Sequence, residues 1–474
     1  MKLAVIGGGG VRTPAFVRAL LLRAPGMFNE ISLWEPGPER RETTGRLAVE
    51  LAARLGQAGA VTLSADSEEA FTGADFVFSA IRVGGDRGRV IDEEVALARG
   101  LVGQETTGAG GAAMALRTIP VVLGYSRQLA RCAPGAVLIN FTNPAGLITQ
   151  ALSLHGEVPV VGVCDTPGGT VRRLAAFFGA EEPGTGPVGT EHHSASFDYG
   201  GLNHLGWVCS FRLDGEEKMA EILERYEELQ RFDRSFAPFD PALVRRVGAV
   251  PTEYLFYYYD SWRYVDQVRR AGTSRGQDIV RLNEEMFAAI GRAFARGGVD
   301  EAWSEYSRLL GIRHDTYMRT DTEGESHQAD ARSERAARGA EPVDQAGIGG
   351  YEGVALRVIA GLRSQSPDRV IVNTRNGTSL PFLEADDVVE LPAQVDATGI
   401  HPSAGCHLPP SARALVSQVK QYERALVDAA VQGDAGLAAV ALALHPLVPG
   451  IRAARELISE YRDKHGKDLA YLNN

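Results

Sequence analysis

The chain opens MKLAVIGGGGVRTPAFVRALLLRAPG: a short apolar run at 3–6, four glycines at 7–10, then a helical apolar pattern at 16–22. Strand, glycine turn and helix in immediate succession commit the start of the chain to a βαβ unit of a parallel sheet. Gly7, Gly8, Gly9 and Gly10 let the backbone approach a pyrophosphate closely, and Val11 and Arg12 complete the turn. The free N–H groups of the helix start beyond them favour negative charge. A second apolar run, 31–34, ends in Glu35, whose carboxylate is placed for both ribose hydroxyls and disfavours a 2′-phosphate. The expectation is NAD in preference to NADP. The alternative is another doubly wound sheet, of flavodoxin type, with no nucleotide.

A chain of 474 residues, 44% of them hydrophobic, buries ample core and is expected to form two domains. Apolar runs at 76–81, 136–141 and 158–163 alternate with helical segments to about residue 190, each followed by polar or glycine-rich residues where a parallel sheet presents its ligand-binding edge. Beyond a Gly- and Pro-rich stretch at 181–189, helices are expected at 216–232 and 278–296, and strands return at 370–373 and 387–395. The reading is α/β: a dinucleotide-binding domain of the lactate/malate dehydrogenase kind over 1–190, and a mixed α/β domain over 191–474 for substrate, metal and oligomerisation. Residues 327–345, rich in Arg, Glu, Ala and Asp, read as a solvated loop, and no internal repeat is evident.

The N-terminal run is too short for a secretory signal, and no stretch approaches the roughly 18 apolar residues of a membrane span, so a cytoplasmic protein is expected. A formal net charge of −11 disfavours nucleic acid and anionic membranes as partners. Cys132, Cys164, Cys209 and Cys406 show no CxxC spacing, which argues against a disulfide framework and a structural zinc site. Cys164-Asp165 in VVGVCDTPGG and Asn203-His204 in YGGLNHLGW are more informative. A thiolate and an imidazole can hold a divalent metal beside a nicotinamide ring and make a sugar hydroxyl easier to oxidise. The alternative for such a pair is a small buried hydrophobe and a core histidine. His192 and His193, adjacent in sequence, read as surface residues.

Several segments in one order, IGGGGVRTP at 6–14, IRVGGDRGRVIDE at 81–93, GQETTGAGG at 103–111, NFTNPAG at 140–146, GVCDTP at 162–167, GLNHLGW at 201–207, VPTEYLFYYY at 250–259 and VIVNTRNGTSLPFLEADDVVELPAQVD at 370–396, resemble glycoside hydrolase family 4, especially its 6-phospho-β-glucosidase members. This NAD-dependent family stands apart from two-carboxylate glycosidases. The resemblance implies hydride transfer from the sugar C3 to NAD⁺, removal of the acidified C2 proton, elimination of the glycosidic oxygen, addition of water and return of the hydride. It implies that Cys164 and His204 bind Mn²⁺ or another divalent ion, with Co²⁺, Ni²⁺ and Fe²⁺ open. It makes Tyr254 the best match to the C2 base among Tyr254, Tyr257, Tyr258 and Tyr259, with Glu105 accepting its hydrogen bond. Asp165 would be the acid for the leaving oxygen, its alternative being a helix cap. Arg89, Asn143 and Arg275 would meet the phosphate of a phosphorylated disaccharide or aryl glucoside, since arginine makes bidentate bonds to phosphate.

The expected enzyme is a homodimer or homotetramer. The same mechanism on a 6-phospho-α-glucoside, α-galactoside or α-glucuronide stays open. A NAD-dependent 2-hydroxy acid dehydrogenase would share the glycine turn but needs no Cys/His pair, and a non-catalytic nucleotide-binding module needs none of the chemically competent motif residues.

Overall fold

A computed structural model describes residues 1–180, 195–323, 350–364, 367–403 and 406–473. Six strands, β1 (Lys2–Ile6), β2 (Glu30–Trp34), β3 (Val61–Ser64), β4 (Phe76–Ser79), β5 (Val137–Asn140) and β6 (Val160–Gly162), form the N-terminal part of the sheet. All pair in parallel, in the order β3-β2-β1-β4-β5-β6, the order of the doubly wound dinucleotide fold. Their apolar runs are continuous because both faces are covered. Leu3 and Val5 pack with Phe16, Val17 and Leu20 of α1 (Thr13–Arg23). Ala4 and Ile6 face the opposite cluster. On that side α2 (Gly85–Leu97) lies against α3 (Gly108–Cys132), which contributes Ala112, Ala113 and Leu116. Strands β4, β5 and β6 end earlier than the apolar runs suggested, and the residues that follow become loops at the ligand-binding edge. The next helix, α4 (Thr166–Phe177), starts from that edge.

Seven further strands extend the same sheet: β7 (Ala195–Leu202), β8 (Leu205–Leu213), β9 (Glu216–Glu217), β10 (Val250–Pro251), β11 (Asp368–Arg375), β12 (Val388–Asp396) and β13 (Gly399–Pro402). β11 joins β6 antiparallel at Asn373 and Gly162, β12 follows β11, and the β7–β8 hairpin is reached through β12. Gly162 permits that junction, since a Cβ there would lie 2.8 Å from the Cβ of Asn373 and 2.3 Å from Thr149 Oγ1. Strands from both expected domains are thus hydrogen-bonded into one sheet. The boundary at 190 falls outside the described residues, as do the loop at 327–345, His192 and His193.

Two long helices, α5 (Arg275–Arg296) and α6 (Gly298–Asp315), pack as a pair, with Leu282, Met286 and Leu309 against Leu47 and Leu51. A capping box between Ser274 and Gln277 starts α5 three residues before the expected 278, so Arg275 is its first residue. The helix expected at 216–232 is instead β9 followed by two short helices, Met219–Glu224 and Tyr226–Phe232. The Glu217 carboxylate accepts from the backbone N–H groups of Phe211 and Met219, at 3.1 Å each, and so holds the segment's start to β8 rather than in a helix. Among the described residues no helix is long and apolar enough to cross a membrane.

Candidate active site

The switch point of the parallel sheet lies between β1 and β4, where β1 releases the chain into residues 7–10. A Cβ on Gly8 would lie 2.6 Å from Leu33 Cβ, and one on Gly9 would lie 2.6 Å from Glu35 Cγ. The glycines therefore let the turn rest directly on β2. Glu35 closes the same corner, its Oε2 accepting from Gly9 N at 3.2 Å and its Oε1 from Gly37 N at 2.9 Å. α1 starts at Thr13 without a side-chain cap, yet its first N–H groups are not free as expected: Thr13 N donates to the Gly10 carbonyl at 3.0 Å, Pro14 has none, and Ala15 N donates to Tyr306 Oη at 3.3 Å. A glycine turn packed on β2 and a carboxylate at the end of β2 are two of the parts a dinucleotide requires.

Cys164 lies just beyond β6, and Asp165 occupies the N-cap position of α4 without capping it through its carboxylate. Asn203 and His204 form the two-residue turn between β7 and β8. His204 has φ 62°, uncommon for a residue with a side chain. Asn203 is tied down by Glu390, which accepts from Asn203 Nδ2 at 3.0 Å, Tyr199 Oη at 2.7 Å and Asn373 Nδ2 at 3.1 Å. The turn delivers the His204 ring so that Nε2 lies 3.7 Å from Cys164 Sγ and Nδ1 lies 2.9 Å from Thr106 Oγ1. The ring also stacks flat on Tyr254, centroids 3.7 Å apart and planes at 1°.

Burial sets the charge state of this cluster. It lowers the His204 imidazole to about 4 against the pull of Glu105 and Asp165, so the ring is neutral at pH 7, the form that binds metals. It pushes the Cys164 thiol well up, with Glu390 and Asp165 adding to the effect. It also raises the Tyr254 hydroxyl, partly offset by a hydrogen bond from Tyr317. A divalent cation beside the thiol and imidazole would lower both hydroxyl and thiol, and the donor set suits first-row divalent ions, with thiolate and imidazole favouring borderline ions such as Co²⁺ or Zn²⁺ over the harder Mn²⁺. Among the described residues no three His, Cys, Asp or Glu side chains converge as a closed site.

Beside this cluster stands a charged wall. Arg82 pairs with Glu105, Arg89 Nη1 lies 3.1 Å from Glu105 Oε1, and Arg89 Nε lies 2.8 Å from Glu93 Oε1. Glu93 in turn accepts from Gly276 N at 2.6 Å, which seats the start of α5. Arg275 donates to Thr316 Oγ1 at 3.0 Å and to the Arg313 carbonyl at 2.9 Å. Burial favours a protonated Glu105, yet Arg82, Arg89 and Arg313 hold its carboxyl at about 2. Arg313 is driven down to about 9 by burial and by the nearby charges of Arg12, Arg275 and Arg89. Arg12, Arg89, Arg275 and Arg313 crowd one another, and Glu93, Glu105, Asp278 and Asp321 supply the counter-charge. The Asn143–Pro144 bond is cis, and Asn143 Oδ1 accepts from Ala145 N at 3.2 Å, at the edge just beyond β5.

The structure brings Cys164, His204 and Tyr254 together. It places Glu105 with Arg82 and Arg89 rather than on the Tyr254 hydroxyl, whose partner is Tyr317 Oη at 2.8 Å. The other tyrosines of that segment are engaged elsewhere: Tyr257 donates to Asp321 at 2.6 Å, Tyr258 meets His445 at 3.4 Å, and Tyr259 accepts from Trp207 at 3.2 Å. Tyr317, Arg313 and Glu390 were not anticipated. Glu390 lies inside a quoted motif and could have been weighed; Tyr317 and Arg313 carry no local signal.

Comparison with known proteins bears on these parts. Residues 2–180 match the family 4 glycosyl hydrolase model, and residues 199–448 match the family 4 glycosyl hydrolase C-terminal domain. The 6-phospho-β-glucosidase BglT of Thermotoga maritima is 27% identical, over 97% of each chain. The phospho-α-glucosidase PagL of Clostridium acetobutylicum is 24% identical, over 97% of this chain and 96% of its own. The 6-phospho-β-glucosidase of Thermotoga maritima solved with manganese, NAD⁺ and glucose-6-phosphate superposes with a TM-score of 0.75 at 26% identity, covering 98% of both chains. Fold, motifs and matched length agree, and the protein belongs to family 4 of the glycosyl hydrolases and is a glycosidase.

Proposed function

We propose that this glycosidase hydrolyses 6-phospho-β-glucosides with NAD and a divalent metal as cofactors. The observation that carries the reading is the approach of Cys164 Sγ and His204 Nε2 to 3.7 Å, against Tyr254 and beside an arginine-rich wall. The Thermotoga relative solved with manganese, NAD⁺ and glucose-6-phosphate supports the same combination. When bound, NAD⁺ supplies a hydride acceptor and the divalent ion a Lewis acid for the sugar's hydroxyl oxygens.

Residues 7–12, with Glu35, hold the dinucleotide, and Cys164 and His204 hold the metal. Tyr254 takes the C2 proton, its ring fixed by stacking on His204 and its hydroxyl by Tyr317. Asp165 delivers a proton to the leaving glycosidic oxygen; its carboxylate is not used as a helix cap. Arg89, Arg275 and Asn143, joined by Arg313, receive the phosphate. Glu105 keeps Arg82 and Arg89 in place and acts on Tyr254 through its charge alone. The enzyme is assigned to the cytoplasm, as a homodimer or homotetramer, on its four unpaired cysteines and its kinship.

The second reading keeps the mechanism and changes the anomer to a 6-phospho-α-glucoside; the relationship to PagL favours it. The test is p-nitrophenyl release from the 6-phospho-β-glucoside, its α anomer and the unphosphorylated β-glucoside, each with and without NAD⁺ and Mn²⁺ under reducing conditions. Release from the phosphorylated β substrate only with both cofactors is expected. Release from the α anomer alone moves the assignment to the second reading, and release without NAD⁺ overturns both.

A further inference from the structure

His204 can serve as a ligand through Nε2 only if its proton sits on Nδ1, and the neighbouring hydrogen bonds decide where it sits. Gln104 Oε1 accepts from the backbone N–H of Thr106 at 2.7 Å. A backbone N–H can only donate, so that side-chain atom is the amide oxygen, not the nitrogen. The same oxygen lies 2.9 Å from Thr106 Oγ1, and because it can only accept, the Thr106 hydroxyl must spend its single proton there. What the hydroxyl has left for His204 Nδ1, 2.9 Å away, is a lone pair. Nδ1 is therefore the donor, and the unprotonated Nε2 faces Cys164 Sγ. All of these groups are buried, Gln104 7%, Thr106 9% and His204 6% exposed, so water does not compete for them.

We infer that Thr106 and Gln104 are positioning residues that lock His204 in the Nδ1–H tautomer and so prepare its Nε2 to bind a divalent cation. The inference rests on the reading of Cys164 and His204 as the metal pair. It adds a layer of residues behind that pair, drawn from the GQETTG segment, where attention to Glu105 alone passes over the two flanking side chains. Partners of this kind, which orient a metal-binding histidine through its second nitrogen, typically change metal affinity ten- to hundredfold when removed.

Two measurements on the reduced protein test it. The ¹⁵N–¹H spectrum of the imidazoles in the metal-free protein, with the His204 signals assigned by their loss in H204Q, should show Nδ1–H in the wild type and a mixture of tautomers in T106V and Q104M. An Nε2–H tautomer in the wild type, or an unchanged tautomer in both variants, overturns the proposal. Mn²⁺ titration by calorimetry should show affinity about tenfold to hundredfold weaker in T106V, with T106S, which keeps the hydroxyl, close to wild type. Equal weakening in T106S and T106V would mean that Thr106 acts by packing, and the proposal falls. If the wild type takes up no Mn²⁺, or H204Q takes it up equally well, the metal reading itself fails, while the tautomer measurement still stands on its own.

Discussion

The cluster at Cys164, His204 and Tyr254 and the wall of Arg82, Arg89, Arg275 and Arg313 lie side by side and solve opposite electrostatic problems. In the cluster, burial strips charge: the imidazole falls to about 4, and the thiol and the tyrosine hydroxyl rise. In the wall, the Glu105 charge survives burial because the Arg82 and Arg89 guanidiniums are within reach, whereas burial raises Glu93 in spite of Arg89. One region is neutral and holds a thiol, an imidazole and a hydroxyl, and the other holds guanidiniums and carboxylates in close pairs. The lesson is that burial can leave one cluster of side chains neutral and, a short distance away, keep a carboxylate charged by pairing it.

The comparison breaks most visibly at the thiol. C164A should lose at least about 1000-fold in kcat/KM, the several kcal/mol a Lewis-acid metal supplies. Calorimetry should show weakened Mn²⁺ uptake; undiminished Mn²⁺ activation would place the metal elsewhere. Next in size is E105Q, which takes from Arg82 its carboxylate partner and leaves Arg89 with Glu93 alone, and should cost about 3 kcal/mol in chemical denaturation. The Glu105 carboxyl is depressed in the folded state, so its contribution is full above the unfolded value of about 4.3 and is lost as pH falls towards about 2. The wild-type advantage over E105Q should shrink over that window, and a pH-independent difference would show that Glu105 acts by packing.

R275A should raise KM for a 6-phosphoglucoside about tenfold to hundredfold, with little effect on kcat. An equal loss in kcat would move Arg275 from the phosphate to the framework of α5 and α6. The smallest effect is a slope. His204 and His445 are both lowered by burial, to about 4 and about 3, so each prefers to fold neutral. The unfolded chain binds the extra protons below about pH 6.5, and metal-free protein should lose about 1.4 kcal/mol per pH unit for each histidine until its folded value is reached. H445Q should remove one share of that slope, and an unchanged slope would mean that His445 is not buried as a neutral ring.

Features written in contiguous residues were legible in the sequence. The glycine turn, Glu35 at the end of β2 and the motif around Cys164 depend on spacing over a few positions, and the parallel order of β1 to β6 follows from alternation of strand and helix. Tyr317 and Arg313 were not legible, because each reaches its place through the packing of α5 against α6, and neither stands in a pattern. Glu105 shows a subtler limit. Its residue type suits a partner for Tyr254, but two arginines offer a carboxylate far more than a tyrosine hydroxyl does, and their positions are set by the fold. The segment at 216–232 misled for a local reason, since its helical pattern is interrupted by the side chain of Glu217, which bonds back to β8.

The place of β11 and β12 in the sheet has a consequence for how the chain is born. Cys164 leaves the ribosome early and the β7–β8 turn that carries His204 soon after, yet that hairpin meets the N-terminal strands only across β12 and β11. Until residue 396 has been made, Cys164 and His204 have no common sheet to hold them at their final spacing. Long-range pairing of this kind folds late and leaves strand edges open in the meantime. A nascent chain should therefore acquire its nucleotide cradle before its metal pair, and a chain cut short before β11 should keep the first and lack the second.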